Sequence, residues 1–161
     1  MKIGILSDSH DNLPRILQAV DLFNHLGAEF VIHCGDFVAP FSLQPLQSLN
    51  CDYVGVYGNN DGEKTGLQSA SSGRIRVEPA TIELGGRKIS FFHHLQNFFD
   101  LAVDSQAFDL VCYGHTHKTH LEHRGKTLVV NPGECGGWLY GTSTIAMVDL
   151  DKLEAEIIKL D

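Results

Sequence analysis

Seven side chains of types that bind metal ions recur along the chain, several of them at short spacings. They are Asp8, His10, Asp36, Asn59, His93, His115 and His117. The densest stretch is CYGHTHKTH (112–120), which carries three of the nine histidines. Two carboxylates, one amide oxygen and four imidazoles suit divalent ions such as manganese, iron, cobalt, nickel or zinc. Seven donors are too many for one tetrahedral site, so the set favours two ions that share a carboxylate and lie about 3.5–4 Å apart.

Each candidate ligand follows a short apolar segment with the composition of a buried strand. The segments are KIGIL (2–6), FVIH (30–33), DYVGVY (52–57), KISFF (88–92) and DLVCY (109–113). One Asp or Asn after a strand is an ordinary turn residue, but five strand ends that converge on Asp, Asn and His favour a binding site. In open α/β sheets, ligands bind at the carboxyl ends of the strands. A glycine precedes Asp36, Asn59 and His115, and we expect each to let the backbone turn sharply toward that edge.

The remaining segments predict how the strands are connected. Helical spacing of apolar residues predicts a helix over 12–27, with Asp11 or Asn12 as its N-cap, and further helices over 41–49 and 96–104. Residues 62–74 are small and polar and predict a weak helix or a mobile loop. Turn residues at 85–86, 124–125 and 151–152 predict three hairpins. Parallel βαβ units together with antiparallel hairpins indicate an α/β fold of two mixed sheets packed face to face, with helices outside.

The composition predicts one domain over residues 1–161 and argues against several functional classes. The net charge of −8 argues against stable nucleic-acid binding, although bound cations can still attract an anionic ligand locally. No apolar run reaches the ~20 residues of a membrane span, and MKIGILSDSH lacks the pattern of a signal peptide. Four cysteines without a CxxC spacing predict reduced thiols, so the cytoplasm is the expected compartment. A homodimer or a higher homo-oligomer is compatible with a chain of this size.

Five sequence blocks, taken together, resemble the calcineurin-like metallophosphoesterases. In chain order they are Asp8-Ser9-His10, Gly35-Asp36, Gly58-Asn59-Asn60-Asp61, His93 and Gly114-His115-Thr116-His117. The chain length and the segment Asn131-Pro132-Gly133 are similar to the small YfcE-like phosphodiesterases. The resemblance implies a four-layer αββα sandwich. It also implies a first ion held by Asp8, His10, Asp36 and His117, and a second ion held by Asn59, His93 and His115, with Asp36 as the bridge.

The reaction that the resemblance implies is the hydrolysis of a phosphodiester. A hydroxide that bridges two divalent ions would attack phosphorus in line, and the ions would stabilise charge on the phosphoryl oxygens. Manganese is the preferred cofactor, with nickel, iron, cobalt or zinc as alternatives, and a small phosphate ester is the expected substrate. Strand periodicity agrees with this assignment, because His115 and His117 fall on the same side of the chain if the run stays extended.

Three positions depart from the family pattern. Asn60 stands where many members have a histidine thought to protonate the leaving group, so we expect a preference for esters with good leaving groups. His94 stands where a glycine is usual, and it either assists in the site or fills space. The candidate catalytic residues are therefore Asp36, Asn59, Asn60 and His94. Glu134 replaces a small residue after Asn131-Pro132-Gly133 and is expected to alter the pocket rim.

Two other functions stay open from the sequence. The retromer scaffold subunit resembles the same fold and binds proteins, so a catalytically weak or inactive scaffold is one alternative, and a phosphomonoesterase is the other. The complete set of seven donors favours an enzyme. Among the remaining residues, His33 is expected to be buried behind the site and Asp61 to orient a ligand. Trp138 is expected in the core or at a dimer contact, with stacking on a base or an aryl group as the alternative.

Overall fold

Two mixed β-sheets pack against each other in the computed structural model, which describes residues 1–161 except for the side chain of Asn97. The first sheet contains β1 (Lys2–Leu6), β2 (Phe30–His33), β3 (Asp52–Val56), β4 (Ile75–Arg76), β10 (Ser143–Asp149) and β11 (Glu154–Leu160). The second sheet contains β5 (Ala80–Leu84), β6 (Arg87–Phe92), β7 (Leu110–Tyr113), β8 (Thr119–Arg124) and β9 (Thr127–Pro132). The strand orders are β11-β10-β1-β2-β3-β4 and β5-β6-β7-β9-β8.

Both sheets combine parallel and antiparallel pairs, as the sequence predicts. Strands β1 to β4 run parallel, and so do β6, β7 and β9. The pairs β5–β6, β8–β9 and β10–β11 are antiparallel hairpins. All three predicted hairpins are therefore confirmed. The parallel strands matter most for function, because their carboxyl ends meet at one edge of the molecule.

Three α-helices cover the outer faces of the sheets: α1 (Leu13–His25), α2 (Lys64–Ala70) and α3 (Leu95–Asp104). Helix α1 begins where the side chain of Asn12 accepts the backbone amide of Arg15, so Asn12 rather than Asp11 is the cap. The predicted helix over 41–49 is wrong. Two short 3-10 helices, Pro40–Leu43 and Pro45–Ser48, stand there, because Pro45 has no amide hydrogen with which to continue the first. No helix within the described residues is both long and apolar enough to cross a membrane.

Three apolar clusters define the layers. The central cluster joins the facing sides of both sheets, with Ile5 and Ile32 of the first sheet packed against residues such as Phe91 of the second. Helix α1 packs on the outer side of the first sheet through Phe23. Helix α3 packs on the outer side of the second sheet through Val103. The predicted four-layer αββα sandwich is thus confirmed.

Candidate metal centre

The carboxyl ends of five strands bring all seven predicted metal ligands to one edge of the sandwich. The segments after β1 and β2 are tied by backbone hydrogen bonds from Asp8 to Gly35 (3.0 Å) and from His10 to Asp36 (3.1 Å). The two sheets meet where the His93 ring Nδ1 donates to the carbonyl oxygen of Cys34 at 2.8 Å. A fully buried histidine thus links the sheets at the site.

Five of the seven residues have left-handed backbone conformations, which are uncommon for residues with a side chain. They are Asp8 (φ 52°), His10 (φ 42°), Asp36 (φ 60°), His115 (φ 68°) and His117 (φ 57°). Strand β7 ends at Tyr113, so the expectation that His115 and His117 lie on an extended run is wrong. Left-handed residues instead turn these side chains inward. Such conformations cost free energy and concentrate at functional sites, where surrounding structure enforces them.

The first group of donors is formed by Asp8, His10, Asp36 and His117, each with a ligand atom within 4.8 Å of the others. The Asp8 Oδ1 atom lies 3.3 Å from His117 Nε2 and 3.9 Å from His10 Nε2. The buried atoms Asp8 Oδ1 and His10 Nε2 have no hydrogen-bond partner among the described residues. An unpartnered buried carboxylate oxygen is costly, and a bound cation would remove that cost. The donor set of this group therefore fits a divalent ion.

The second group contains His93, His94 and His115, whose ring nitrogens also lie within 4.8 Å of one another. The amide oxygen of Asn59 stands between two of these rings, 3.0 Å from His93 Nε2 and 2.9 Å from His115 Nδ1. Asn59 therefore belongs to the same group. Imidazoles with an amide oxygen suit a first-row transition metal ion.

Asp36 lies between the two groups. Its Oδ2 atom is 3.6 Å from His10 Nε2 in the first group and 3.4 Å from His93 Nε2 in the second. Asn60 fixes this carboxylate, because its backbone amide donates to Oδ1 at 2.8 Å and its side-chain Nδ2 donates to Oδ2 at 2.7 Å. The position that lacks a histidine thus holds a residue that orients Asp36.

Burial and neighbouring charges shift the pKa values of the site residues. Burial raises the pKa of Asp8. Burial also acts to raise the pKa of Asp36, but the hydrogen bond and charge of His93, with the hydrogen bonds of Asn60, lower that pKa overall. For His93, burial acts to lower the pKa, yet the hydrogen bond and charge of Asp36 raise it to about 8. In the metal-free protein these two residues form an ion pair, so a metal ion at His93 must displace a proton.

The three glycines that precede site residues act in two ways. Gly35 has a φ of 97°, which fits the predicted sharp turn. Gly58 and Gly114 are needed instead for close approach. A β-carbon on Gly58 would lie 2.2 Å from Asp36 Oδ1, and one on Gly114 would lie 2.0 Å from the hydroxyl of Ser7. The prediction of sharp turning at these two glycines is therefore wrong, and they leave space for the side chains of neighbouring strands.

Asp61 holds two of the ligand-bearing segments together. Its buried carboxylate accepts the backbone amides of Asp36 (3.1 Å) and Val38 (2.7 Å) after β2, and that of Gly58 (2.8 Å) after β3. Because Asp36 and Asn59 stand in these two segments, Asp61 fixes the backbone from which both side chains project. Its contacts are those expected of a residue that orients ligands.

Two carboxylates contact the site in ways that the sequence did not indicate. Glu134 is 1% exposed, so its predicted place at the pocket rim is wrong. Its Oε2 atom lies 3.3 Å from His117 Nδ1, and its carboxylate accepts the backbone amides of Trp138 and Leu139. The second residue, Glu78, contacts His94. Both pairs are distant in sequence, so no local spacing could have revealed them.

The remaining predicted positions lie outside the two groups. His33 is buried behind the site, where its Nε2 atom lies 3.0 Å from the Ser9 hydroxyl, and burial lowers its pKa to about 3. Trp138 is 67% exposed, so the expectation of a core position is wrong. Its ring Nε1 donates to the carbonyl oxygen of His10 at 3.1 Å, which leaves the indole beside the first group.

Comparisons with known proteins are consistent with this geometry. Residues 1–153 match the Calcineurin-like phosphoesterase superfamily domain. Phosphodiesterase MJ0936 of Methanocaldococcus jannaschii is 42% identical over 166 residues, which span all of both chains. Phosphodiesterase YfcE of Escherichia coli is 28% identical over 147 residues, which span 83% of this chain and 78% of the other. A solved structure described as a novel archaeal phosphodiesterase superposes with a TM-score of 0.94 at 41% identity, covering 99% of this chain and 100% of that one.

Proposed function

The chain belongs to the calcineurin-like phosphoesterase superfamily, and from that membership we propose that it is a phosphodiesterase with a dinuclear metal centre. As a member related to the YfcE-like phosphodiesterases, it is a hydrolase of phosphoric esters. The resemblance found in the sequence blocks is confirmed. The family uses divalent metal ions, and the two groups of donors supply candidate ligands for them.

The observation that carries the dinuclear proposal is the position of Asp36. One carboxylate oxygen lies within 3.6 Å of a donor in each group, so one side chain can bridge two ions. The first ion would be held by Asp8, His10, Asp36 and His117. The second would be held by Asn59, His93 and His115, with Asp36 shared. The presence of all seven donors also argues against an inactive scaffold.

When bound, the two ions would act as Lewis acids and supply a hydroxide for in-line attack on phosphorus. The protein contributes by fixing the donors before substrate arrives. Asn60 orients the Asp36 carboxylate, and the Cys34 carbonyl accepts the Nδ1 proton of His93, so Nε2 is the nitrogen that a metal ion would bind after displacing its proton. Because Asn60 is occupied with Asp36 and its amide is no proton donor of suitable strength, the leaving group must depart largely unassisted. We therefore propose a preference for esters with good leaving groups.

A cleft of about 560 Å³ beside the second group supports a small diester as the substrate. Asn59 and His94 of the second group line this cleft, together with Tyr57, Lys64 and Val77. Lys64 is the cation of this cleft and lies over the Tyr57 ring. We propose that the second ester substituent occupies this space and that Lys64 attracts the anion. The net charge of −8 agrees with a small substrate rather than a nucleic acid.

The preferred ion in this proposal is manganese, with nickel, iron, cobalt or zinc as alternatives, since carboxylates and imidazoles accept all of them. The proposed compartment is the cytoplasm, because all four cysteines are free thiols. A homodimer or higher homo-oligomer stays a proposal as well.

The test is hydrolysis of an activated aryl phosphodiester and the matching monoester by metal-stripped protein to which manganese or nickel is returned. The proposal expects activity only with added metal, a higher kcat/KM for the diester, and loss of activity in Asp36→Asn. Full activity of the metal-stripped protein, or of Asp36→Asn, would contradict the mechanism. A higher kcat/KM for the monoester would leave the dinuclear centre intact and refute the diester preference.

A further inference from the structure

His94 stands at the N-cap of α3, yet its side chain does not cap the helix. The residue has an extended backbone (φ −85°, ψ 108°), and the cap has no side-chain hydrogen bond to the helix. N-cap residues are usually Ser, Thr, Asp or Asn, whose oxygens bind the first amides of the helix. The imidazole is 27% exposed and turned toward the second group of donors instead, with its ring centroid 4.9 Å from that of His115 and 5.0 Å from that of His93.

Glu78 fixes the orientation of this ring. The His94 Nδ1 atom donates to Glu78 Oε1, and the other carboxylate oxygen accepts the backbone amides of His93 (2.6 Å) and His94 (3.0 Å). With Nδ1 bound to a carboxylate, Nε2 is the nitrogen that keeps a free lone pair. Histidines that bind metals almost always donate their other ring N–H to a carboxylate, a carbonyl or water.

The same arrangement holds the neighbouring His93. Its Nδ1 donates to the Cys34 carbonyl oxygen at 2.8 Å, and its Nε2 points to the oxygen of Asn59 at 3.0 Å. One ring nitrogen from each of His93, His94 and His115 lies within 4.8 Å of the others. Two adjacent histidines are therefore each oriented through one ring nitrogen, so the other nitrogen of each is the one that a metal ion would bind.

We propose that His94 is an additional ligand of the second metal ion and that Glu78 positions it. The inference rests on the dinuclear centre proposed above and adds a donor that the five sequence blocks do not include. It makes the two sites unlike. The first combines two imidazoles with two carboxylates, whereas the second contains three imidazoles, the Asn59 oxygen and the shared Asp36.

The difference in donors predicts a difference in metal preference. Imidazole-rich sites favour nickel, cobalt and zinc, whereas carboxylate-rich sites accept manganese readily. The ratio of nickel affinity to manganese affinity should therefore be larger at the second site than at the first. Removal of the His94 side chain should reduce this ratio, because water would replace a nitrogen donor of the ion.

The experiment is calorimetric titration of the full-length, metal-stripped chain with nickel and, separately, with manganese. Wild type is compared with His94→Ala, Glu78→Gln and the control His123→Ala, which removes an exposed histidine from β8. Loss of an oriented ligand or its carboxylate partner typically weakens metal binding by about 10–100-fold. We expect the Kd of the second nickel ion to rise at least about tenfold in both test variants, with the first ion's Kd within about twofold of wild type and no change in the control.

Visible absorption of the cobalt-loaded proteins gives a second measurement that does not depend on activity. The band of the second cobalt ion should shift in His94→Ala and stay unchanged in His123→Ala. Two nickel ions in wild type, with the same second Kd and cobalt spectrum in His94→Ala, would overturn the His94 assignment alone. Fewer than two ions in wild type would overturn the dinuclear centre, and this inference with it. Circular dichroism establishes that each variant is folded, and Glu78→Gln tests the orientation of His94 while the ligand itself is kept.

Discussion

Replacement of Asp61 by alanine tests whether the ligand-bearing segments are held in place before metal binds. The carboxylate accepts three backbone amides from two segments, and no other described residue accepts the amides of Asp36, Val38 or Gly58 in its place. Asp36 and Gly58 are buried, whereas Val38 is half-buried and open to water. The alanine variant therefore leaves two buried amide donors without an acceptor.

Each buried unsatisfied donor costs about 1–3 kcal/mol, so Asp61→Ala should lower the free energy of unfolding by about 2–6 kcal/mol. The total free energy of unfolding of a small domain is about 5–15 kcal/mol, so Asp61→Ala should be folded but clearly destabilised. Asp61→Asn keeps one acceptor oxygen and the shape of the side chain. Its free energy of unfolding should therefore lie between those of Asp61→Ala and wild type. The increase in stability that bound metal ions give the folded protein should also be smaller, because the displaced Asp36 and Asn59 would bind ions more weakly.

Urea unfolding at equilibrium, with EDTA and then with manganese, measures both effects. Asp149→Ala is the matched control, since Asp149 accepts two backbone amides in an exposed turn and contacts no site residue. We expect a large shift of the unfolding midpoint for Asp61→Ala and a much smaller one for the control. Equal midpoints for the two variants, with the full metal stabilisation retained in Asp61→Ala, would refute it.

Three further predictions follow from the same geometry. Gly58→Ala should abolish metal-dependent activity in a folded protein, because the added β-carbon would overlap Asp36 Oδ1. Calorimetry that finds normal metal affinity in this variant would contradict the prediction. Glu134→Gln should weaken binding of one ion by about 10–100-fold, because it removes the negative charge 3.3 Å from His117 Nδ1; an unchanged Kd would show that Glu134 only supports the Trp138 loop. The pKa of His93 is raised to about 8, so this ligand is mostly protonated below pH 8 in the metal-free protein. Apparent metal affinity should fall toward lower pH, and fewer protons should be released on metal binding at pH 9 than at pH 7, as calorimetry in buffers of different ionisation enthalpy can measure; equal proton release at both pH values would contradict this assignment.

The sequence predicted which side chains the fold brings together, because two independent patterns coincide. Apolar runs identify the strands, and the residue types that follow them identify the edge at which parallel strands end. Asp8, Asp36, Asn59 and His93 therefore reach a common place from four different strands. The αββα layers follow in the same way from the mixture of βαβ units and hairpins.

Backbone conformation and long-range contacts could not be predicted in this way. The left-handed turns at His115 and His117 depend on surrounding segments, and alternation of side chains along a strand does not apply to them. Glu134 is a buried carboxylate in a glycine-rich segment, where composition alone favours a loop at the surface. At 41–49 the apolar spacing indicated a helix, and Pro45 determined that two short 3-10 turns form instead.

Anomalous diffraction from crystals grown with manganese tests most directly whether Asp36 bridges two metal ions. We expect two anomalous peaks about 3.5–4 Å apart, with the Asp36 carboxylate between them. One peak should lie beside Asp8, His10 and His117, and the other beside Asn59, His93 and His115. A single peak, or two peaks that do not share Asp36, would contradict a bridge between two ions at this residue.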